Sequence, residues 1–345
     1  MLASFVKQLT AAQPLDAEQV RAAVELLTDE HIAAANKAEF LIALAQKGET
    51  HEEIAAFAAA LREKSVPLPL EQNWRDSREI LDIVGTGGDR LGTFNISTTS
   101  AIVCAAAGVT VAKHGNRAVT SQAGSADVLE ALGIRIDLTP AEAAQALREK
   151  HFAFFFAPNF HPAFKHIGPA RKLCADRGQR TIFNFLGPLL NPARPSAMLV
   201  GVPRIELCEP LAHVLQSLGV RRAMVVCGTV AEFKIDELST LGANHIAEFY
   251  QARGFTTSAL TLEHFPLQPA TLTDLLGGDK FQNAEITRKI LRGEDRGPKR
   301  DAVLLNAGAA LFVAGKTKSL AEGWELAGTT IDSGKGEVKL AELAS

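Results

Sequence analysis

A glycine-rich segment, LDIVGTGGDRLGTFNIST at residues 81 to 98, has the composition of an anion-binding loop. Gly85, Gly87 and Gly88 directly follow an apolar run that is typical of a strand, and a helix is predicted to begin near Asn95. Glycines let the backbone approach a ligand closely, and the free amides of a helix N-terminus bind negative charge. The segment therefore predicts a phosphate or pyrophosphate site; the alternative is an ordinary capped strand-to-helix turn.

This segment is neither of the two commonest nucleotide-binding motifs. Gly87 and Gly92 have the spacing of a P-loop, but Thr93 and Phe94 stand where that motif has Lys and then Ser or Thr. Arg90 stands at the position of the third glycine of a dinucleotide-binding fingerprint. The ordinary nucleotide-binding folds are therefore disfavoured.

Two further segments carry charges that suit a phosphorylated ligand and a metal. In KHGNR, Lys113 and Arg117 are cations that can neutralise phosphate charge. In KIDELS, the adjacent acids Asp236 and Glu237 offer the oxygen ligands that Mg²⁺ prefers, in combination with substrate phosphates. The alternatives are a solvated basic loop and an exposed acidic turn.

The hydrophobic pattern predicts the elements that hold these segments. Apolar residues recur at helical spacing from Asp16 to about Lys64, which predicts a cluster of helices, and SVPLPLEQNW is typical of a linker. Short β-rich runs then alternate with helix-length segments, which predicts a largely parallel sheet that binds ligands at the carboxyl ends of its strands. The predicted strands are residues 80–84, 109–113, 134–138, 152–156, 198–202, 223–227 and 245–249.

Composition narrows the class of protein. The chain has 345 residues, of which 47% are hydrophobic, so it can form one large domain or two. Its formal net charge of -3 gives no global attraction to nucleic acid or membrane, and no apolar run is long enough for a transmembrane helix. The 4 cysteines form no CxxC pair, and the N-terminus lacks the apolar core of a signal peptide. We expect a cytoplasmic protein that acts on small molecules.

The motifs together resemble the anthranilate phosphoribosyltransferases, whose signature is similar to GTGGD followed by TFNIST. Three more blocks are similar and occur in the same order: KHGNRAVTSQAGSADVLEALG, TIFNFLGPLLNPA and DAVLLNAGAALFVAG. The resemblance covers essentially the whole chain. It implies an α/β fold with a small N-terminal helical domain, residues 1–70, which helices near 162–177 join in space. Residues 75–345 would form the larger catalytic α/β domain, with a mainly parallel central sheet.

The resemblance implies a reaction and a set of site residues. The reaction is transfer of 5-phosphoribosyl from phosphoribosyl pyrophosphate to the amine of anthranilate, with release of pyrophosphate, in tryptophan biosynthesis. The cofactor is Mg²⁺, with two ions per active site, and the assembly is a homodimer. No catalytic side chain is implied, because positioning and electrostatics suffice. Implied metal ligands are Ser97, Asp236 and Glu237; implied anthranilate contacts are Gly85, Asn116 and Arg171; implied phosphoribosyl pyrophosphate contacts are Gly85, Gly88, Asp89, Thr93, Asn95, Ile96, Ser97, Thr98, Lys113, Ser121 and Ser125.

Three segments differ from the usual family pattern. Lys234 and Ile235 precede the acidic pair where a glycine and a small or apolar residue are usual, and SQAGS carries Gln122 and Ala123 where serine or cysteine is common. The spacer RKLCADRGQRT is a few residues longer than usual. Two alternatives stay open: an enzyme of the same fold with another aromatic or pyrimidine acceptor, and a non-catalytic nucleic-acid-binding paralogue. The role of His114 also stays open.

Overall fold

The N-terminal segment forms four helices. The structure is a computed structural model that describes residues 1–118, 122–251 and 254–345. The first helices are α1 (Leu2–Thr10), α2 (Ala17–Thr28), α3 (Ala34–Lys47) and α4 (His51–Glu63). Capping boxes begin two of them, since Asp16 pairs with Gln19 at α2 and Thr50 pairs with Glu53 at α4. The predicted cluster of helices is confirmed.

A single sheet forms the centre of the rest of the described chain. Its strands are β1 (Ile80–Gly85), β2 (Thr110–Gly115), β3 (Phe152–Phe156), β4 (Ala197–Gly201), β5 (Arg222–Val230), β6 (Phe233–Ile235), β7 (Asn244–Tyr250) and β8 (Gly254–Leu260). The strand order is β3-β2-β1-β4-β5-β7-β8, and β6 pairs with β5 alone. The five strands from β3 to β5 are parallel, whereas β6, β7 and β8 add antiparallel pairs. The predicted mainly parallel sheet is confirmed.

Helices cover both faces of this sheet. They are α5 (Gln72–Asp76), α6 (Ile96–Ala106), α7 (Ser125–Ala131), α8 (Pro140–Glu149), α9 (Ala157–Phe160), α10 (Gly168–Asp176), α11 (Cys208–Ser217), α12 (Leu272–Leu275), α13 (Lys280–Leu291), α14 (Pro298–Val313), α15 (Leu320–Asp332) and α16 (Lys335–Leu343). Along β4, Leu199 packs into one core and Met198 into the other, so the strand is buried on both faces. None of the described helices is both long and apolar enough to cross a membrane.

Helix α10 packs against α3 of the N-terminal cluster. Ala170 and Cys174 are buried in the same core as Phe40 and Leu41. A later segment of the chain therefore completes the helical unit that the first four helices begin.

One predicted strand is wrong and two strands were not predicted. Residues 134–138 pair with no strand. Ile134 and Ile136 are buried in the core beside α7, so the alternating pattern arises because one side of an extended segment packs against that core. The missed strands are β6, which has 3 residues, and β8, which is mostly exposed. Neither carries an apolar pattern. The segment taken for a linker also ends in a helix, α5.

Candidate active site

The glycine-rich loop joins β1 to α6 at the carboxyl edge of the sheet. Gly87 and Gly88 have φ values of 75° and 92°, which only glycine adopts without strain. The loop ends at Asn95, and α6 begins at Ile96 with its first backbone amides facing away from the helix. Ile96 itself is buried in the core, so it can offer a ligand only its backbone.

The β5–β6 hairpin brings the acidic pair to this loop. Asp236 Oδ2 accepts a hydrogen bond from the Gly87 amide at 2.6 Å, and Glu237 Oε1 accepts one from the Ser97 amide at 3.3 Å. A Cβ at Gly201 would overlap the carbonyl of Asp236, so the backbones approach closely. The three predicted metal ligands, which are distant in sequence, therefore lie together.

The negative charge of this cluster exceeds its positive charge. Burial, together with the nearby Asp89 and Glu237 carboxylates, raises the pKa of Asp236 well above its usual value. Burial also raises the pKa of Glu237 to about 7, although Lys113 opposes that shift. Three carboxylates thus face one ammonium group, and a divalent cation would balance them.

The ligand set suits magnesium better than a metal held by protein alone. No group of three or more His, Cys, Asp or Glu residues in the described ranges is arranged to hold a metal ion. Magnesium commonly takes one or two carboxylates and completes its shell with water and substrate phosphates. Asp236 and Glu237, with the Ser97 hydroxyl, fit that pattern.

Lys113 lies beneath the loop and is 2% exposed. Its Nζ donates to the Ile83 carbonyl at 2.6 Å and lies 3.4 Å from Ser97 Oγ. Burial lowers its pKa, which the charges of Asp82 and Glu237 raise in part. Burial raises the pKa of Asp82 to about 6. The ammonium group of β2 and the carboxyl group of β1 therefore interact electrostatically inside the protein.

Other predicted phosphate contacts surround the same loop. Thr98 is 1% exposed, and its hydroxyl has no hydrogen-bond partner among the described residues. Buried hydroxyls are usually hydrogen-bonded, so a ligand is a candidate partner for this one. Asn95 donates to the Ala123 carbonyl at 3.2 Å, and Thr93 pairs with Leu276 in an isolated bridge. The predicted contact Ser121 lies outside the described residues.

The KHGNR segment begins in β2, and its last two residues contact α7. The Asn116 carbonyl accepts hydrogen bonds from Ser125 Oγ and the Ala126 amide, both at 3.3 Å. Arg117 pairs with Asp127 at 2.9 Å and with Glu130 at 3.1 Å. Arg117 is therefore paired with two acids of α7, and a contact between Arg117 and phosphate stays a prediction.

A row of rings connects this segment with Arg171 of α10. The ring centroids of His114 and His161 are 5.2 Å apart, and His161 stacks on Phe164 at 5.3 Å. Phe164 meets Phe183 edge-on at 5.7 Å, and the Arg171 guanidinium lies 5.4 Å from the Phe183 centroid. The structure therefore connects His114 of the KHGNR segment with Arg171 through an aromatic row, which suits a planar acceptor.

Both histidines of the row are neutral near pH 7. Burial lowers the pKa of His114 to about 3 and that of His161 to about 4. A backbone hydrogen bond to Gly187 opposes the first shift, and one to Leu190 opposes the second. The two rings therefore anchor the FLGPLLN segment. They are poor proton donors at neutral pH.

Sequence reasoning missed several residues that support the site. Asp82 accepts from Asn191 Nδ2 at 2.8 Å and from the His114 amide at 3.3 Å. The signal was present, because Asp82 is a charged residue inside an apolar strand. Asn191 belongs to a recognised block, but nothing in the sequence alone connects it with Asp82.

Comparison with known proteins identifies the class first. The family model described as "Glycosyl transferase family, helical bundle domain" matches residues 3–65. The family model described as "Glycosyl transferase family, a/b domain" matches residues 77–337. The chain is therefore a glycosyltransferase that combines these two domains.

Individual relatives narrow the family. The chain is 44% identical over 339 residues to the anthranilate phosphoribosyltransferase of Petrotoga mobilis, covering 98% of this chain and 95% of that protein. The Thermus thermophilus enzyme of that name is similar in structure with a TM-score of 0.88 and 43% identity, over 99% of this chain and 98% of that one. The Saccharomyces cerevisiae enzyme, solved with phosphoribosyl pyrophosphate and Mg, matches with a TM-score of 0.84 and 27% identity, over 99% and 96%. The chain belongs to the anthranilate phosphoribosyltransferase family.

Proposed function

We propose that this chain transfers the 5-phosphoribosyl group from phosphoribosyl pyrophosphate to the amine of anthranilate, releasing pyrophosphate, in tryptophan biosynthesis. The observation that carries the proposal is the assembly of the glycine-rich loop, Lys113 and the Asp236–Glu237 pair at one edge of the sheet. The yeast relative was solved with phosphoribosyl pyrophosphate and Mg, and separately with 4-fluoroanthranilate. These substrates are therefore the ones to test.

The phosphoribosyl pyrophosphate would lie over the loop and the start of α6. The amides of Gly87, Phe94 and Ser97 donate within the protein, so other amides of the loop, such as those of Gly88 and Asp89, would supply hydrogen-bond donors together with the Thr98 hydroxyl. Lys113 would supply positive charge. The other proposed contacts are Gly88, Asp89, Thr93, Asn95, Ile96, Ser97, Ser121 and Ser125.

Two magnesium ions are proposed for the site, with Asp236 and Glu237 holding one and Ser97 joining the other. When bound, magnesium would neutralise charge on the departing pyrophosphate. The elevated pKa values of Asp236 and Glu237 support this role, because burial and then neighbouring carboxylates raise them, and a bound cation would offset both effects.

Anthranilate would lie along the aromatic row. A guanidinium such as that of Arg171 can bind a carboxylate through two parallel hydrogen bonds, while Asn116 and the backbone at Gly85 would contact the amine end. The rings of His114 and His161 are neutral and buried, and they would support Phe164 from behind as it contacts the acceptor.

The reaction then depends more on the relative position of the two reactants than on proton transfer by a side chain. The amine lone pair forms the bond to the anomeric carbon as the bond to pyrophosphate breaks and its electron pair leaves with pyrophosphate, and the proton lost from the nitrogen passes to pyrophosphate or to water. The chain holds the two reactants in line and stabilises the leaving group electrostatically. No covalent intermediate with the enzyme is required.

Family membership also supports the proposed organisation. We propose a homodimer that acts in the cytoplasm, with residues 1–70 and the helices near 162–177 as its helical domain. Residues 75–345 would form the catalytic domain.

The acceptor can be tested at Arg171. The Arg171→Gln variant should raise the KM for anthranilate by about 10- to 100-fold, because hydrogen bonds to a charged group contribute about 1.5–3 kcal/mol. The KM for phosphoribosyl pyrophosphate should change little. Steady-state kinetics with each substrate varied in turn measures both.

Arg177→Gln is the matched control, because Arg177 lies exposed at the end of the same helix. It should behave like the wild type. An Arg171→Gln variant with an unchanged KM for anthranilate would move the acceptor carboxylate elsewhere.

A further inference from the structure

The far end of the phosphate loop is held by a segment that the proposed chemistry does not use. The Gly277 amide donates to the Gly92 carbonyl at 3.0 Å, and the Phe94 amide donates to the Leu275 carbonyl at 3.1 Å. A Cβ at Gly277 would lie 2.8 Å from the Cα of Phe94, so the two backbones touch. The segment just before α13 therefore supports the loop directly.

One buried amide extends this support to the start of α6. Asn283, on α13, is 3% exposed. Its Oδ1 accepts from the Gly278 amide at 2.8 Å, and its Nδ2 donates to Asn95 Oδ1 at 2.9 Å. Asn95 Nδ2 in turn donates to the Ala123 carbonyl at 3.2 Å. These contacts form a chain of amides from α13, through the phosphate loop, to the loop before α7.

Asn283 fixes the donor-to-acceptor direction of this chain of amides. An asparagine amide can turn either way, and only its partners decide which end donates. Because Asn283 presents its NH₂ group to Asn95, the oxygen of Asn95 faces α13 and its NH₂ group faces Ala123. Reversal of Asn95 would place two oxygens together at Ala123. The NH₂ group of Asn283 therefore holds the oxygen of Asn95, and in this orientation the NH₂ group of Asn95 can donate to Ala123.

A second contact on α13 offers a comparison within the same helix. Thr287 follows Asn283 by one turn and is buried, and its hydroxyl shares a hydrogen bond of 2.9 Å with Thr99 of α6. The Thr99 hydroxyl also donates to the Asn95 carbonyl at 3.1 Å, so this contact reaches the backbone of Asn95 but not its side-chain amide. Loss of the Thr287 hydroxyl would weaken helix packing and leave that donation, and the pairing of Asn283 with the Asn95 side chain, in place.

We propose that Asn283 is a positioning residue for phosphoribosyl pyrophosphate, acting through Asn95. It touches no substrate; it sets the orientation of Asn95 and so the backbone at the start of α6. The inference rests on the proposed function, since it takes that backbone as the phosphate site. No local sequence pattern selects Asn283, because its partner Asn95 is 188 residues away.

The test measures binding of phosphoribosyl pyrophosphate, with magnesium present and anthranilate absent, by titration calorimetry. Asn283→Asp keeps the acceptor for Gly278 but removes the donor for Asn95, and Asn283→Ala removes both. Each should weaken binding about tenfold, the loss expected for one hydrogen bond of roughly 1.4 kcal/mol. Thr287→Val should bind like the wild type while losing thermal stability.

The possible outcomes distinguish failure of the inference about Asn283 from failure of the proposed function. If the Asn283 variants bind as tightly as the wild type, the inference is wrong although the proposed function stands. If Thr287→Val weakens binding as much as Asn283→Ala at an equal loss of Tm, the effect is general support by α13 and the inference is also wrong. A wild-type protein that binds no phosphoribosyl pyrophosphate overturns both.

Discussion

Replacing both acids of the pair, in an Asp236→Asn, Glu237→Gln variant, should reduce kcat/KM for phosphoribosyl pyrophosphate by at least about 100-fold at millimolar magnesium. The amides retain the shape of the side chains but lose the charge that would attract the metal. The measurement is initial-rate kinetics with phosphoribosyl pyrophosphate and magnesium varied.

The fold should survive this change. The elevated pKa values show that the native environment disfavours the charged form of both acids, so neutral amides relieve a cost of folding. We expect a Tm equal to or above that of the wild type. Glu232→Gln, at an exposed position of the same hairpin, is the control and should leave the rate unchanged. Wild-type kinetics in the double variant would contradict the metal assignment.

Replacing Lys113 by Met should reduce the free energy of unfolding by about 1–4 kcal/mol near pH 8, because the buried carboxylate of Asp82 loses the favourable effect of a nearby positive charge. The contact with the Ile83 carbonyl is lost as well. Chemical denaturation at several pH values measures the loss. Activity should also fall, because the loop loses its buried cation.

The pH dependence of this loss has a defined sign. The pKa of Asp82 is about 6 in the folded wild type, above the usual value of 3.8, and loss of the ammonium raises it further. Because the pKa of Asp82 is raised in the folded state, ionisation of Asp82 costs the folded protein free energy. This cost is absent below the pKa of Asp82 in the unfolded chain and grows as the pH rises above it. Lys113→Met should therefore lose less stability at pH 5 than at pH 8.

A second substitution gives the control. Adding Asp82→Asn to Lys113→Met removes the buried carboxyl group and should recover part of the stability near pH 8. If the double variant is less stable than Lys113→Met by the full effect of Asp82→Asn alone, the two side chains do not interact and the account of the pair is wrong.

Local pattern was sufficient for the elements that carry the phosphate loop. The apolar run before Gly85, the glycines and the helix start of α6 are contiguous in sequence, and each has a direct physical meaning. The same holds for β2 and KHGNR. The prediction of a strand at residues 134–138 was wrong because alternating burial shows that one side is covered but does not show backbone pairing.

The support of the site depends on contacts that no local pattern contains. Asp82 and Asn191 are 109 residues apart, and Gly87 and Asp236 are 149 apart. The resemblance located Asp236 as a metal residue, but the requirement for glycine at position 201 follows only from the folded backbones. Asn283 is another such case.

The central claim is the substrate pair, and the most direct test is turnover by the purified protein. Anthranilate fluorescence is followed after phosphoribosyl pyrophosphate and magnesium are added, with a metal-free sample alongside. The account predicts loss of fluorescence with matching release of pyrophosphate, only when magnesium is present. Unchanged anthranilate, with pyrophosphate released when another aromatic acceptor is supplied, would contradict it.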